Sequence, residues 1–454
     1  MIKQRTTTDF FINDKPSWAA YDATRKIPNF IDGFKISQRK LIWTGFDKLQ
    51  KDWMKTESFC NIVALDTVYI HGSSNLCGVC ASITQNFVGA CNYPYFLGND
   101  GGWGSRLITR ESAPRYTKLK LSDITKKLFN SIDNEILEKQ YFEGQYIEPK
   151  YLIPVFPTIF LNTSNGITAG FSSNIYSRNP ENIITYIKKK ISGIEKPRID
   201  LSPWFYNYKG EIRFNKETNQ YESIGKIEQN NMTSYTITEI PVETSYLKYV
   251  EILDKLEEDK VIQSYEDKCD PRTNIMHFEI RTTREFTRKH SDLESLYKVF
   301  KLIKSLPEQY NCIDENNRVR EFNNIYEILD NFIDIRLDFY DKRKSHIIEK
   351  IKKSLTILAS KYHFIKGIVD GTIIINKRKK DNIEAQLDKN DKIHRIDDNY
   401  NYLLLMPIHS LTQEKMEELK TQIDEKKDEY KKIKNTSIQD MWINDLNELK
   451  KYLI

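Results

Sequence analysis

The chain has 454 residues, 39% of them hydrophobic and 12% aromatic, enough for about two to four folded domains and incompatible with general disorder. Its net charge of +5, with 29% charged residues, is mildly basic and excludes neither an enzyme nor a binding protein, so only local clustering informs. No apolar run approaches the roughly 18 residues of a membrane span, and six cysteines in a chain of this size point to reduced thiols, not a disulfide scaffold.

In chain order, the first predicted element is a helix from about Ile36 to Leu49, with Leu41, Ile42 and Phe46 on one face and Arg39 and Lys40 on the other. Lys35, Arg39, Lys40, Lys48, Lys51 and Lys55 face only Asp47 and Asp52 here. The cluster reads equally as a solvated helix surface or as a contact for a polyanion. A second helix is predicted from Ser74 to Phe87, with Leu76, Cys80, Ile83 and Phe87 in helical register. Cys77 and Cys80 form a C-x-x-C pair, but no second pair exists to complete a tetrahedral zinc site, so Cys80 is assigned to packing. Short strands and Gly-rich turns between Gly98 and Gly104 complete a compact α/β unit of helix-turn-helix character up to about residue 160.

A second region, from about 175 to 320, mixes strands and helices. Tyr235 to Ile240 and Ile275 to Ile280 alternate as strands do, and Tyr246, Val250, Leu253 and Leu256 mark an amphipathic helix between them. Ser291-Asp292-Leu293-Glu294 reads as a capping box opening another helix. In the third region Ile348, Ile351, Leu355, Leu358, Tyr362, Ile365 and Val369 form a coiled-coil seam. Met416, Leu419, Ile423, Tyr430 and Ile433 repeat it, with Lys426 as a polar interruption. The economical arrangement is two helices running out and back around a compact knob; a plain helical bundle fits the pattern as well.

The stretch with the most chemistry is Ala113-Pro114-Arg115-Tyr116-Thr117. Pro114 fixes its own φ and pushes Ala113 towards an extended conformation, so Arg115 and Tyr116 lie at a bend. A phenol has a pKa of about 10, so a tyrosine nucleophile needs a positive neighbour. A guanidinium provides one and also binds phosphate oxygens. Among 26 tyrosines, this pentapeptide alone does not single out Tyr116.

Its context does. Arg25-Lys26-Ile27-Pro28 leads into Asp32-Gly33-Phe34-Lys35-Ile36-Ser37-Gln38-Arg39-Lys40. Tyr69-Ile70-His71-Gly72 follows, then Gln85-Asn86-Phe87-Val88-Gly89 and Gly101-Gly102-Trp103-Gly104-Ser105-Arg106-Leu107. In this order, closed by Ala-Pro-Arg-Tyr, they resemble the breakage-reunion domain of type II DNA topoisomerases. The eukaryotic form reads DGLKPSQRK, HHGE, AQNFVG, GQFGTRL and SPRY at comparable spacing. Asn165 to Ser172 is similar to the family's GIGTGW segment, Pro203 to Gly210 to the start of its tower domain, and Leu403 to Thr412 to the return into its coiled coil.

The resemblance implies an α+β multidomain fold. It consists of a winged-helix (helix-turn-helix) DNA-cleavage domain over 1–170, an α/β tower domain over 171–325, and a long antiparallel coiled coil over 326–454 with a small C-gate globule at about 370–412. It implies Tyr116 as the nucleophile that forms a 5′-phosphotyrosyl bond, with Arg115 and His71 stabilising the transition state. Lys35, Arg39, Lys40 and Arg106 would grip backbone phosphates, contacts that position DNA without reading its sequence. Ile167 would wedge between base pairs and bend the cut duplex. Ile36 departs from the family's Pro, Ile70 from its first His, and Gly102-Trp103 from Gln-Phe.

Strand passage needs ATP and Mg²⁺, and the sequence has no G-x-x-x-x-G-K-[ST] loop and no D-x-D pair of the toprim type. The expectation is therefore that ATPase and metal-binding modules sit on a larger partner subunit, made of one chain or divided over more than one. Such short cleavage chains are similar to those of T-even-type bacteriophage enzymes, which would place this one in the cytoplasm of a bacterial host. A homodimer closing through the globule is expected, since a double-strand break needs two nucleophiles. A tyrosine recombinase is excluded by the absence of its C-terminal His-x-x-Arg and Tyr pattern. The alternative is a non-enzymatic architectural DNA-binding protein.

Overall fold

The computed structural model describes residues 6–453, which form two compact units. The first runs to Arg336 and takes in the chain again from Ile443; the second is Leu337–Trp442. The terminal stretch thus returns to the first unit, whereas the sequence pattern kept everything after 326 in the coiled-coil region.

The first unit opens on helical turns that pass through a π-helical segment, Phe10–Asp14, into the helix Lys15–Lys26. Ile27, ahead of Pro28, is extended and ends it. Ile27, Phe30, Ile31 and Phe34 are then buried around a tight turn at Gly33. There φ is +66° and an added Cβ would fall 2.6 Å from the backbone nitrogen of Ile159, so only glycine fits.

The helix Ile36–Lys48 follows, its first turn held by the Gln38 side-chain oxygen, which accepts from the Lys35 N–H at 3.0 Å. Leu41 and Ile42 are buried as expected. The opposite face is not solvated at Arg39 and Lys40, which are buried too. Helices Thr56–Asp66 and Ser73–Ser82 complete a three-helix cluster. The last of these stops short of the predicted Phe87, because the chain turns at Thr84, whose hydroxyl donates to the Cys80 carbonyl at 2.7 Å, and Tyr95 then donates back to Ile83.

Against the helices packs a three-stranded antiparallel wing of Met54–Lys55, Lys118–Leu121 and Phe96–Asn99, with Lys118–Leu121 in the middle. Leu119 and Leu121 point into the core, the alternation a half-buried strand requires.

Further along, Lys226–Asn231, Ser234–Glu239, Phe278–Arg281 and Ser264–Asp267 form an antiparallel sheet in that order. The predicted helix appears as Tyr246–Glu258, packing Tyr249 and Leu253 onto Tyr235, Ile237, Phe278 and Ile280. The strand expected from Ile275 starts only at Phe278, since Ile275 is occupied in a two-way backbone pairing with Asp270. The helix Leu293–Val299 is capped by Asp292, whose carboxylate accepts from the Ser295 N–H at 2.9 Å; the cap is one residue later than the box read from the sequence.

In the second unit, most of the helix Ile325–Val369 and the helix Gln413–Asn435 carry the two seams, except that Val369, expected in the first, is exposed at the helix end. Leu419 is buried and Met416, Ile423, Lys426, Tyr430 and Ile433 are half-buried, while most of their neighbours face water. The helices run antiparallel: Lys344 donates to the carbonyls of Lys434 and Thr436 at the far end of the second helix, at 3.0 and 2.8 Å. Between them a small globule closes over Phe364, Ile373, Leu387, Ile393, Tyr400 and Leu403.

Candidate active site and nucleic-acid interface

Tyr116 sits in the turn that leads into the middle strand of the wing. Its own N–H donates to the Ala113 carbonyl at 2.9 Å, closing the bend that Pro114 prescribes. The turn is tied down behind the side chain. The Thr56 N–H donates to the Thr117 carbonyl at 3.0 Å and the Glu57 N–H to the Pro114 carbonyl at 3.3 Å, while the Thr56 and Thr117 hydroxyls meet at 2.7 Å. Gly101, at φ +60°, lies so close that a Cβ would come within 3.1 Å of the Tyr116 carbonyl oxygen. The preceding loop is pinned to itself by Gly102 and Ser112, which exchange backbone and hydroxyl contacts at 2.7 and 2.9 Å. A rigid seat therefore presents a free side chain: Tyr116 is 63% exposed, and the Arg115 guanidinium lies over its ring at 5.0 Å.

His71 precedes the helix Ser73–Ser82 and lines a cavity of about 210 Å³ with Tyr21, Arg25, Lys40, Tyr69 and Glu148. Burial and the nearby Arg25 cation hold the imidazole below its ordinary pKa, so the neutral form persists to lower pH. Its side-chain partner is Tyr21, with Oη 2.6 Å from Nε2. Sequence reasoning missed Tyr21, and no local signal marks it, because it lies 50 residues away. Ile70, in the position of the family's other histidine, is exposed.

The four basic residues expected on phosphates separate sharply. Arg39 is buried and bidentate to Asp32, at 2.6 and 3.1 Å, with a further bond to the Phe34 carbonyl. Lys40 is buried between Glu148 Oε2 at 2.8 Å and the Thr67 carbonyl at 2.7 Å. Arg106 is buried against Glu239 Oε1 at 2.5 Å and the Ile240 carbonyl at 3.0 Å. All three residues expected on phosphates are therefore buried against internal acceptors and not laid on the surface, and exposing any of them would strand a buried carboxylate.

Lys35 differs. Its ammonium has no carboxylate partner among the described residues, and partial burial lowers its pKa. It lines a cavity of about 370 Å³ with Gln38, Gln85, Asn162, Ser164 and Asn165, all neutral hydrogen-bonding groups.

Ile167 is 79% exposed at the end of the strand Ser164–Ile167, which pairs with Ser172–Ile175 as a two-stranded ribbon. Gly166 in that ribbon presses on the helix Lys15–Lys26: a Cβ there would fall 2.2 Å from the Lys26 carbonyl oxygen. Thr168 donates to Asp22, which also pairs with Lys26 at 2.8 Å.

Cys60, Cys77 and Cys80 lie together and buried, and hydrogen bonding with burial pushes the Cys77 thiol well above its usual range. Among the described residues, no group of three His, Cys, Asp or Glu side chains is placed to hold a metal ion, and no helix is long and apolar enough to cross a membrane.

Comparisons with known proteins bear on the family and the fold. The family of A-type subunits of DNA gyrase/topoisomerase IV matches residues 25–447. The chain is 34% identical over 481 residues to DNA topoisomerase 2 of Plasmodium falciparum, covering 97% of this chain and 34% of that protein. It is 30% identical over 466 residues to DNA topoisomerase 2 of Invertebrate iridescent virus 6, covering 100% of this chain and 39% of the relative. The fold superposes with a TM-score of 0.88 and 33% identity on a crystal structure of the Plasmodium falciparum topoisomerase II DNA-binding, cleavage and re-ligation domain, covering 98% of this chain and 64% of that one. The chain thus spans about a third of the length of such curated relatives.

Proposed function

This chain belongs to the family of DNA gyrase and topoisomerase IV A-type subunits, within the type II topoisomerases, and from that premise we propose that it is the DNA-cleaving subunit of an ATP-dependent type II enzyme. The observation that carries the reading is the rigidly seated, solvent-facing Tyr116 under the guanidinium of Arg115.

In this reading Tyr116 Oη attacks the phosphorus of a backbone phosphodiester and gives up its proton. The bond from phosphorus to the 3′ oxygen breaks, and that oxygen leaves as a hydroxyl. One phosphodiester is exchanged for another, so the 5′-phosphotyrosyl link is resealed by the reverse step without an energy source. Arg115 favours the phenolate and offsets the charge gathering on the pentacoordinate phosphorus. His71 donates a hydrogen bond to the same phosphate, Lys35 holds a neighbouring one, and Ile167 enters the duplex as an apolar wedge. Arg39, Lys40 and Arg106 hold the framework that positions these groups.

Type II topoisomerases use Mg²⁺ and ATP. The described residues offer no cluster suited to the metal, and no step above runs through one; we place both activities on a larger partner subunit with ATPase and toprim modules. This would make the chain a counterpart of the medium subunit of T-even-type bacteriophage enzymes, acting in a bacterial cytoplasm. Two copies would meet through the globule of the second unit, where Leu405 and Ile408 are 79% and 85% exposed.

The test is to mix the chain with its partner, supercoiled DNA, Mg²⁺ and ATP, and to trap with detergent. Double-strand breaks with protein on the 5′ ends are expected, and Tyr116→Phe should give none. Covalent complexes from that variant would remove the central assignment.

A further inference from the structure

Among the described residues His71 makes one side-chain hydrogen bond, and it goes to a residue outside every motif. Tyr21, on the helix Lys15–Lys26, places Oη 2.6 Å from His71 Nε2, with the rings 6.2 Å apart at 35°. Tyr69 flanks the imidazole edge-on at 5.5 Å. The imidazole is thus held from two sides, although Ile70 leaves it without the histidine neighbour of the eukaryotic members.

We propose that Tyr21 is a positioning residue for His71: its phenol donates to Nε2, fixes the tautomer that carries the proton on Nδ1, and aims that N–H at the phosphate Tyr116 attacks. The proposal rests on the reading of His71 as a donor to the transition state. A phenol is a stronger acid than a neutral imidazole N–H, and an unprotonated ring nitrogen is the better acceptor, so the proton lies on the tyrosine side of the bond. The surroundings favour the neutral ring: burial and Arg25 both disfavour imidazolium. The other charged groups lining the same cavity, Lys40 and Glu148, neutralise each other at 2.8 Å. Among the described residues Nδ1 has no partner, so its N–H is available to a ligand. A histidine whose second nitrogen is fixed by a neighbour is the usual way an imidazole is held in one tautomer.

Single-turnover cleavage by the complete enzyme, this chain with its partner, separates the outcomes. Tyr21→Phe is expected to slow formation of the covalent complex about fivefold, roughly what one net hydrogen bond contributes, with DNA affinity unchanged. The acid limb of its rate–pH profile should also move, because the lost bond is made to the titrating imidazole itself. In a His71→Ala background, Tyr21→Phe should have no further effect. Equal slowing in both backgrounds would overturn the proposal, since Tyr21 would then act on the fold and not through His71. Wild-type rates for Tyr21→Phe beside a slow His71→Ala would overturn it as well. If His71→Ala itself cleaves at the wild-type rate, the assignment of His71 fails first and that of Tyr21 falls with it.

Discussion

Arg39, Lys40 and Arg106 are each less than a tenth exposed and each held by a carboxylate. Arg115 instead lies in solvent over the ring of Tyr116, and Lys35 lines an open cavity with no carboxylate to answer it among the described residues. All five are cations in motifs that sequence comparison would treat alike. A buried cation must be paired, because desolvation costs several kcal/mol per ion, so much of its donor capacity is committed. A cation without an internal partner keeps all its donors for a phosphate. The framework and the reactive surface are thus built from the same residue types and told apart by what faces them.

The comparison can be broken most decisively at the framework. Arg39→Ala leaves the Asp32 carboxylate buried with only the Phe34 and Leu152 N–H groups, and should cost about 3–5 kcal/mol of stability, read by chemical denaturation. A loss below about 1 kcal/mol would mean that the pair is not structural. Arg115→Ala should do the reverse. Its melting temperature should match the wild type, while the rate of covalent-complex formation falls about 10²-fold, as for a single lost transition-state donor. A destabilised Arg115→Ala would blur the line between the two classes. The smallest expected effect is at Lys35. Lys35→Gln should weaken DNA binding across all sequences and lower the slope of log affinity against log salt by about 1. An unchanged slope in a salt titration would remove Lys35 from the interface.

Much of this was legible in the chain. The period of the seams located the two helices of the second unit, with Lys426 half-buried at its interruption. The Pro114 bend located the presentation of Tyr116, because proline acts on its immediate neighbours. What stayed hidden depends on partners distant in sequence. Glu148 lies 108 residues from Lys40, and Ile240, whose carbonyl Arg106 also binds, lies 134 residues from Arg106, so the burial of both cations leaves no local trace. Tyr21 was invisible for the same reason. The return of the C-terminal stretch to the first unit had a signal that was available: Trp442, Leu446 and Leu449 share one face of the last helix and are buried, as is Leu453 beyond its end, and the Tyr93 hydroxyl donates to the Leu453 carbonyl at 2.6 Å.

The contact at Gly166 has a mechanical consequence. With no side chain between them, the ribbon that ends in Ile167 rests directly on the main chain of Lys26, and the Thr168 bond to Asp22 stops it from sliding. Asp22 is next to Tyr21 on one helix. Ribbon and helix are therefore joined through main chain and one side-chain bond, with the exposed Ile167 on the ribbon and Tyr21, the partner of His71, on the helix.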